Sequence, residues 1–314
     1  MRRIALAGLL AALLGTPSLT PAGADDPTPP DDPLAVESLL LDAAVAGPRV
    51  VAVGERGRVI VSADGGESWK LARTPTRALL TAVHLHDERS GWAVGHDAVI
   101  LRTRDGGETW QLVHQAPEEE RPLLDVWFRD EHRGFAVGAY GFFLATDDGG
   151  DTWSARAISQ DDYHLNALAP AGAKRLYLAA EAGVAYRSDD DGETWVELSP
   201  PYLGSWFGAL ALDADAVLLT GLRGHLFRSP DAGETWTRVA SGSNATLTGA
   251  IRLPSGIVLM TGLDGTLLTS RDDGRSVALT RLPSRQGVSA AVPLAGGGSL
   301  IVGEFGVRRL PPVE

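Results

Sequence analysis

Apolar residues in this chain fall in short runs separated by clusters of Gly, Asp and Ser. Residues 79–85, 91–94, 99–102 and 109–113 show the pattern: four runs rich in Val, Leu, Thr and Trp, each bounded by turn-forming residues. Such runs predict β-strands. Beyond the first 24 residues no segment carries the long 3.6-residue apolar stripe of a helix. Four strands joined by short turns predict an antiparallel meander. Apolar residues on both faces of the middle strands place each sheet between two neighbours.

The meander recurs with a fixed period. Five stretches repeat one phrase: Ser62-Ala-Asp64-Gly-Gly66-Glu-Ser68-Trp69, Thr103-Arg-Asp105-Gly-Gly107-Glu-Thr109-Trp110, Thr146-Asp-Asp148-Gly-Gly150-Asp-Thr152-Trp153, Ser188-Asp-Asp190-Asp-Gly192-Glu-Thr194-Trp195 and Ser229-Pro-Asp231-Ala-Gly233-Glu-Thr235-Trp236. A sixth, Ser270-Arg-Asp272-Asp-Gly274-Arg-Ser276-Val277, has lost its Trp. The closing positions are 41, 43, 42, 41 and 41 residues apart. Eight residues before each Ser or Thr begins a second phrase: Gly54-Glu-Arg-Gly57, Gly95-His-Asp-Ala98, Gly138-Ala-Tyr-Gly141, Ala180-Glu-Ala-Gly183, Gly221-Leu-Arg-Gly224 and Gly262-Leu-Asp-Gly265. A seventh copy, Gly303-Glu-Phe-Gly306, has no box after it. Four strands in a repeat of this length is the recipe of a propeller blade. The expected fold is all-β, a seven-bladed β-propeller with box turns in the first six blades.

The box has a structural rationale. Asp64, Asp105, Asp148, Asp190, Asp231 and Asp272 sit where a turn carboxylate accepts backbone N–H groups that no strand can satisfy. Trp69, Trp110, Trp153, Trp195 and Trp236 each offer a large apolar surface to a core. The run Asp189-Asp190-Asp191-Gly192 suggests a calcium loop, but Pro200 occupies the position where such a loop needs Glu. No metal site and no cofactor are expected.

The phrase S/T-x-D-x-G-x-T-W is similar to the Asp-box, or bacterial neuraminidase repeat. The longer patterns Ser90-Gly-Trp-Ala-Val-Gly95 to Trp110 and Arg133-Gly-Phe-Ala-Val-Gly138 to Trp153 resemble the photosystem II stability/assembly factor family. The resemblance covers essentially residues 40–310. It implies a seven-bladed propeller outside the cytoplasm that helps assemble membrane protein complexes. Related bacterial proteins include some associated with genes for large transporters. The implied partner is therefore a membrane protein complex or transporter component, met by a monomeric scaffold.

Composition adds an address. Arg2 and Arg3 precede an apolar run ending at Leu14, and Ala22-Gly-Ala24 forms a small-x-small cleavage site. Residues 1–24 read as a Sec-type signal peptide with cleavage after Ala24, implying a periplasmic or secreted protein. The chain has no Cys, so neither a disulfide framework nor a lipid anchor on Cys is available. Residues 25–38 are a Pro- and Asp-rich segment and 39–314 the propeller. By elimination, Pro33 to Ser38 is expected to supply the outermost strand of the seventh blade, tolerating Pro33 because it lies at an edge. Against 40 Asp and Glu stand 28 Lys and Arg, a net charge of −12. Fifteen of the acids lie in the boxes. That balance argues against nucleic acid and anionic lipid as partners.

Specificity is expected opposite the box turns, where the linkers vary from blade to blade. The aromatic linker around Tyr202, Trp206 and Phe207 is the leading candidate, with Tyr163, His164, Arg56 and Arg223 as polar contributors. Trp206 aligns with Leu in four other repeats, so a core role competes with recognition. The alternative function is a carbohydrate-binding or sialidase-like propeller. Its parts, a carboxylate-holding Arg cluster and a Tyr activated by Glu, could come from Arg56, Arg223, Tyr140, Tyr163, Tyr202, Glu181 and Glu304. No spacing requires these to meet, and no catalytic residue is assigned. His84 and His86 share one strand face as a conceivable metal pair lacking a third ligand.

Overall fold

Each repeat folds into the expected meander. In blade 2 the strands Leu80–Leu85, Gly91–Gly95, Ile100–Thr103 and Gln111–His114 pair in chain order, all antiparallel. The computed structural model describes residues 35–313; the expected signal peptide and residues 25–34 lie outside the described residues. Within them are six sheets of four strands and one of three, the seven blades of a propeller. The innermost strands are Leu40–Ala46, Leu80–Leu85, Leu123–Phe128, Leu165–Ala171, Trp206–Ala211, Leu247–Arg252 and Val288–Pro293. Each packs against the next around the ring, the seventh against the first.

The core lies between blades. Trp92 of blade 2 stacks on Phe128 of blade 3 with ring centroids 3.5 Å apart, and Trp153 meets Phe128 edge-on. The second strand of every blade has apolar side chains on both faces because a neighbouring blade covers each face. In blade 2 the Val94 side chain packs toward blade 3 and Ala93 toward blade 1.

The box turns behave as packing and hydrogen-bonding units. Thr103 Oγ1 donates to Asp105 Oδ1 (2.8 Å) and accepts the Gly107 N–H (2.9 Å). Asp105 in turn accepts the Thr109 N–H (3.0 Å) and hydroxyl (2.6 Å), and Trp110 Nε1 donates to the Gly107 carbonyl (2.9 Å). Gly107 has φ +92°, and a Cβ there would lie 2.8 Å from Val51 of blade 1, so both conformation and proximity require glycine. The sixth box keeps this network through Ser270, Asp272, Gly274 and Ser276 although Val277 replaces the Trp.

Arginines fasten each box to the preceding blade. Arg102 of blade 2 donates to the Gly149 carbonyl (3.0 Å) and to Asp151 (2.7 Å) in the blade 3 box. Arg187 reaches the Ala232 carbonyl and Glu234 of blade 5, and Arg228 the Asp273 carbonyl of blade 6. Arg133 pairs with Asp191 and Glu193 of blade 4. The acidity of the box face is therefore partly neutralised from the neighbouring blade. In the Asp189–Asp191 run, Asp189 meets Arg175 and Arg187 of its own blade, and Asp191 meets Arg129 and Arg133 of blade 3.

The described part of the proposed closing strand takes another shape. Ala35–Glu37 form a 3-10 turn, capped by Ser38 Oγ donating to the Ala35 carbonyl (2.7 Å), and the seventh sheet has three strands among the described residues. The turn rests on the last blade: a Cβ on Gly306, whose φ is +79°, would lie 1.8 Å from the Val36 carbonyl oxygen. A helical turn cannot extend a ladder, so residues 35–38 are a plug and not an edge strand; Pro33 lies outside the described residues. Ring closure rests on a shared core of Ala35, Leu40, Val50, Ile60, Val292, Leu300 and Val302.

Candidate recognition face and central channel

The turns joining second to third strands share one face with the blade-to-blade linkers, and hydrogen bonds stitch the two sets together. Ala116 N donates to Asp97 O, Ala139 N to Pro122 O, Gly141 N to Tyr163 O, Glu181 N to His164 O, and Leu222 N to Ser205 O. In the first six turns the third residue lies in the left-handed region, Arg56, Asp97, Tyr140, Ala182, Arg223 and Asp264 with φ between +54° and +58°, and the residue after it does too. This geometry projects four kinds of side chain, Arg, Asp, Tyr and Ala, from one repeated backbone. Arg56, Asp97, Tyr140, Ala182 and Arg223 are exposed.

Three large apolar residues stand out on this face: Leu203 is 89% exposed, Tyr140 53% and Leu263 46%. Their supports are ordered. Tyr202, next to Leu203, stacks on His225 with centroids 3.9 Å apart and directs its hydroxyl at the Leu222 carbonyl (3.3 Å). Tyr140 lies edge-on to His164 at 4.8 Å, and Glu181 Oε1 binds both the backbone N–H and Nδ1 of His164 at 2.9 Å. Exposed apolar side chains on fixed supports suit recognition, since little side-chain entropy is lost on contact.

The sequence candidates separate on inspection. Trp206 is fully buried between blades 4 and 5, against Tyr202 and Phe227, and belongs to the core. Phe207 lines the central channel. Tyr163 and His164 are half-buried, one bound through its carbonyl and the other through Glu181. Arg56 and Arg223 stand on turns of non-adjacent blades, and Glu304 is occupied with the Gly287 N–H (2.8 Å). The parts of a sialidase-like site are thus spread around the ring. His84 is stacked on Phe128, and burial, followed by the charge of His86, lowers its pKa to about 4. His86 is exposed, and among the described residues no group of three potential metal ligands converges.

The channel also holds two acids that the sequence reading did not single out, Asp42 and Asp125. Every inner strand carries a bulge at its second residue. The bulges bring Leu41, Thr81, Leu124, Asn166, Phe207, Thr248 and Ser289 to a cavity of about 270 Å³. Side chains at the bulge or just after it lace blade to blade. Thr81 donates to the Leu123 carbonyl (2.7 Å), Asn166 to Trp206 (2.8 Å) and Thr248 to Val288 (2.9 Å). Asp42 accepts the Val83 N–H (2.9 Å), and Asp125 that of Leu168 (2.7 Å). Burial, joined at Asp42 by the nearby charge of Asp125, pushes both carboxyl groups up to about 7 against the opposing pull of their backbone N–H partners. The visible signal was an acid at the third inner-strand position, where five other repeats have Ala or Gly.

These features define an Asp-box propeller with a variable loop face and a narrow polar channel. A family model for photosynthesis system II assembly factor YCF48 matches residues 32–118 and 113–259, and the chain belongs to that family. Among solved structures it is similar to "YCF48 bound to D1 peptide", at 17% identity and TM-score 0.72, covering 88% of this chain and 94% of that one. YCF48 from Cyanidioschyzon merolae gives 17% identity and TM-score 0.69 over 86% and 94%. The GH74 xyloglucanase from Xanthomonas campestris gives 16% and 0.64, over 83% of this chain and 50% of that one. At these identities the structural likeness is one of fold. No curated protein matches the sequence.

Proposed function

We propose that this protein is a non-enzymatic scaffold that works in the periplasm, or after secretion, and binds a membrane protein during assembly or stabilisation of its complex. The observation that carries the reading is family membership across residues 32–259. A solved family member holds a peptide of another protein, which supports binding of a polypeptide segment here. The surface offered for this contact is the face opposite the box turns, where Tyr140, Leu203 and Leu263 are exposed beside Arg56 and Arg223. The box face is less suited, because its turns repeat and its acids are engaged by neighbouring arginines.

A carbohydrate-active reading is favoured only by the fold shared with the xyloglucanase. The Arg, Tyr and Glu residues it would use stand on turns and linkers of different blades, and the two channel carboxyls, Asp42 and Asp125, are engaged by backbone N–H groups of the next blade. Affinity purification from detergent-solubilised membranes tests the proposal: recovery of one membrane protein or complex supports it. Hydrolysis of glycosides by the pure protein, with no membrane protein recovered, would sink it.

A further inference from the structure

Five of the seven inner strands are laced to the next blade by a side chain at the bulge or just after it, but the laces are of two chemical kinds. Thr81, Asn166 and Thr248 are neutral donors to a carbonyl at the start of the next inner strand. Asp42 and Asp125 are acceptors and reach an N–H three residues further along. The acidic laces join blade 1 to blade 2 and blade 3 to blade 4, so a neutral lace at blade 2 lies between them. Both acids open on the same cavity. Among the described residues its lining contains no Lys, Arg or His, and Asp42 and Asp125 are its only titratable side chains.

Charge on these two groups has nothing nearby to balance it. The ionised pair is held in one narrow space, each member with backbone N–H partners and no cation. In the neutral form one oxygen of each carboxyl can still accept the cross-blade N–H, and the mutual repulsion disappears. His84, on the second inner strand, faces Phe128 and is already neutral above about pH 5, so it does not titrate in the same range.

We propose that Asp42 and Asp125 form a pair of proton-controlled latches in the channel wall, closed when the carboxyls are neutral and strained when both are ionised. Loss of the protons loosens the seams between blades 1 and 2 and between blades 3 and 4, while the neutral laces hold those between blades 2 and 3, 4 and 5, and 6 and 7. The device makes the width and rigidity of the channel mouth depend on pH near neutrality, independently of which partner the outer face meets.

Hydrogen exchange of the full folded protein tests this. After correction for intrinsic base catalysis, protection of the Val83 and Leu168 amides should fall at least about tenfold between pH 5 and pH 8. Asp42→Asn with Asp125→Asn should remove that pH dependence, because an amide oxygen still accepts the N–H but carries no proton equilibrium. Carbon-detected titration of the Asp side chains in the unaltered protein needs no variant, and should show two carboxyls titrating well above the rest. Flat protection from pH 5 to pH 8 would overturn the proposal. So would a pH dependence that survives the double substitution, or titration of both carboxyls below pH 5.

Discussion

Arg309, in the last strand of the last blade, donates to the carbonyl oxygen of Gly65 in the first box turn at 3.1 Å, across 244 residues of sequence. The same guanidinium pairs with Glu67. Arg102, Arg187 and Arg228 make equivalent reaches to the boxes of blades 3, 5 and 6, so the seam of the ring uses the fastening found at its continuous joints.

Exposure should grade these clasps. Arg102 is almost fully buried, and its removal leaves Asp151 without its cation; Arg102→Ala is expected to cost about 1.5–3 kcal/mol, the range for hydrogen bonds to charged groups. Arg309 and Glu67 are open to solvent, so Arg309→Ala should cost no more than about 1 kcal/mol. Denaturant midpoints of the two variants check the order. Equal losses would contradict the clasp account.

Truncating the box Trp should cost more than breaking any clasp. Trp110 is 7% exposed between blades 1 and 2, and Trp110→Ala is expected to lower stability by about 3–5 kcal/mol. A melting temperature within a degree or two of the parent protein would show that the box Trp is not a packing device.

Acid should weaken the boxes in a narrow window. The Thr152 hydroxyl and N–H, with the Thr146 hydroxyl, hold Asp148 at about 2, and equivalent groups hold Asp190 and Asp272 at about 2. A carboxylate depressed in the folded state stabilises it above the unfolded value near 4, and that contribution is lost as pH falls through 2. Thermal stability should therefore decline between about pH 4 and pH 2. Asp148→Asn with Asp190→Asn should make the decline shallower.

The sequence made the blades legible because one physical problem, a tight turn between third and fourth strands, is solved six times with the same residues. It made the clasps partly legible: Arg102, Arg187 and Arg228 each directly precede a box Ser or Thr. Pattern reading passed over them because the blade 1, 3 and 6 equivalents are Val61, Ala145 and Thr269. Closure was misread at residues 35–38. Counting strands assigns residues 35–38 to an edge strand, whereas Ala35–Glu37 form a turn on the last blade and Leu40 and Val50 pack with Val292 and Leu300 at the seam. At the site, Trp206 and Phe207 illustrate the limit. Adjacent residues at a bulge face different surroundings, and only the register sends one into the core and the other into the channel.

The same distinction separates folding from binding in variants. Trp206→Ala should cost about 3–5 kcal/mol and impair every property in proportion. Leu203→Ser, on a side chain 89% exposed, should change stability by less than about 0.5 kcal/mol. Circular dichroism melts of the two proteins decide this.

The central claim is that the protein binds its partner through the face opposite the box turns. Its most direct test is quantitative co-purification from solubilised membranes with two double variants of matched stability. Tyr140→Ser with Leu203→Ser should reduce recovery of the partner at least about tenfold, as expected for removing apolar anchors from an interface centre. Glu67→Gln with Glu108→Gln, on the box face, should leave recovery unchanged. Full recovery with the first pair and loss with the second would contradict the account.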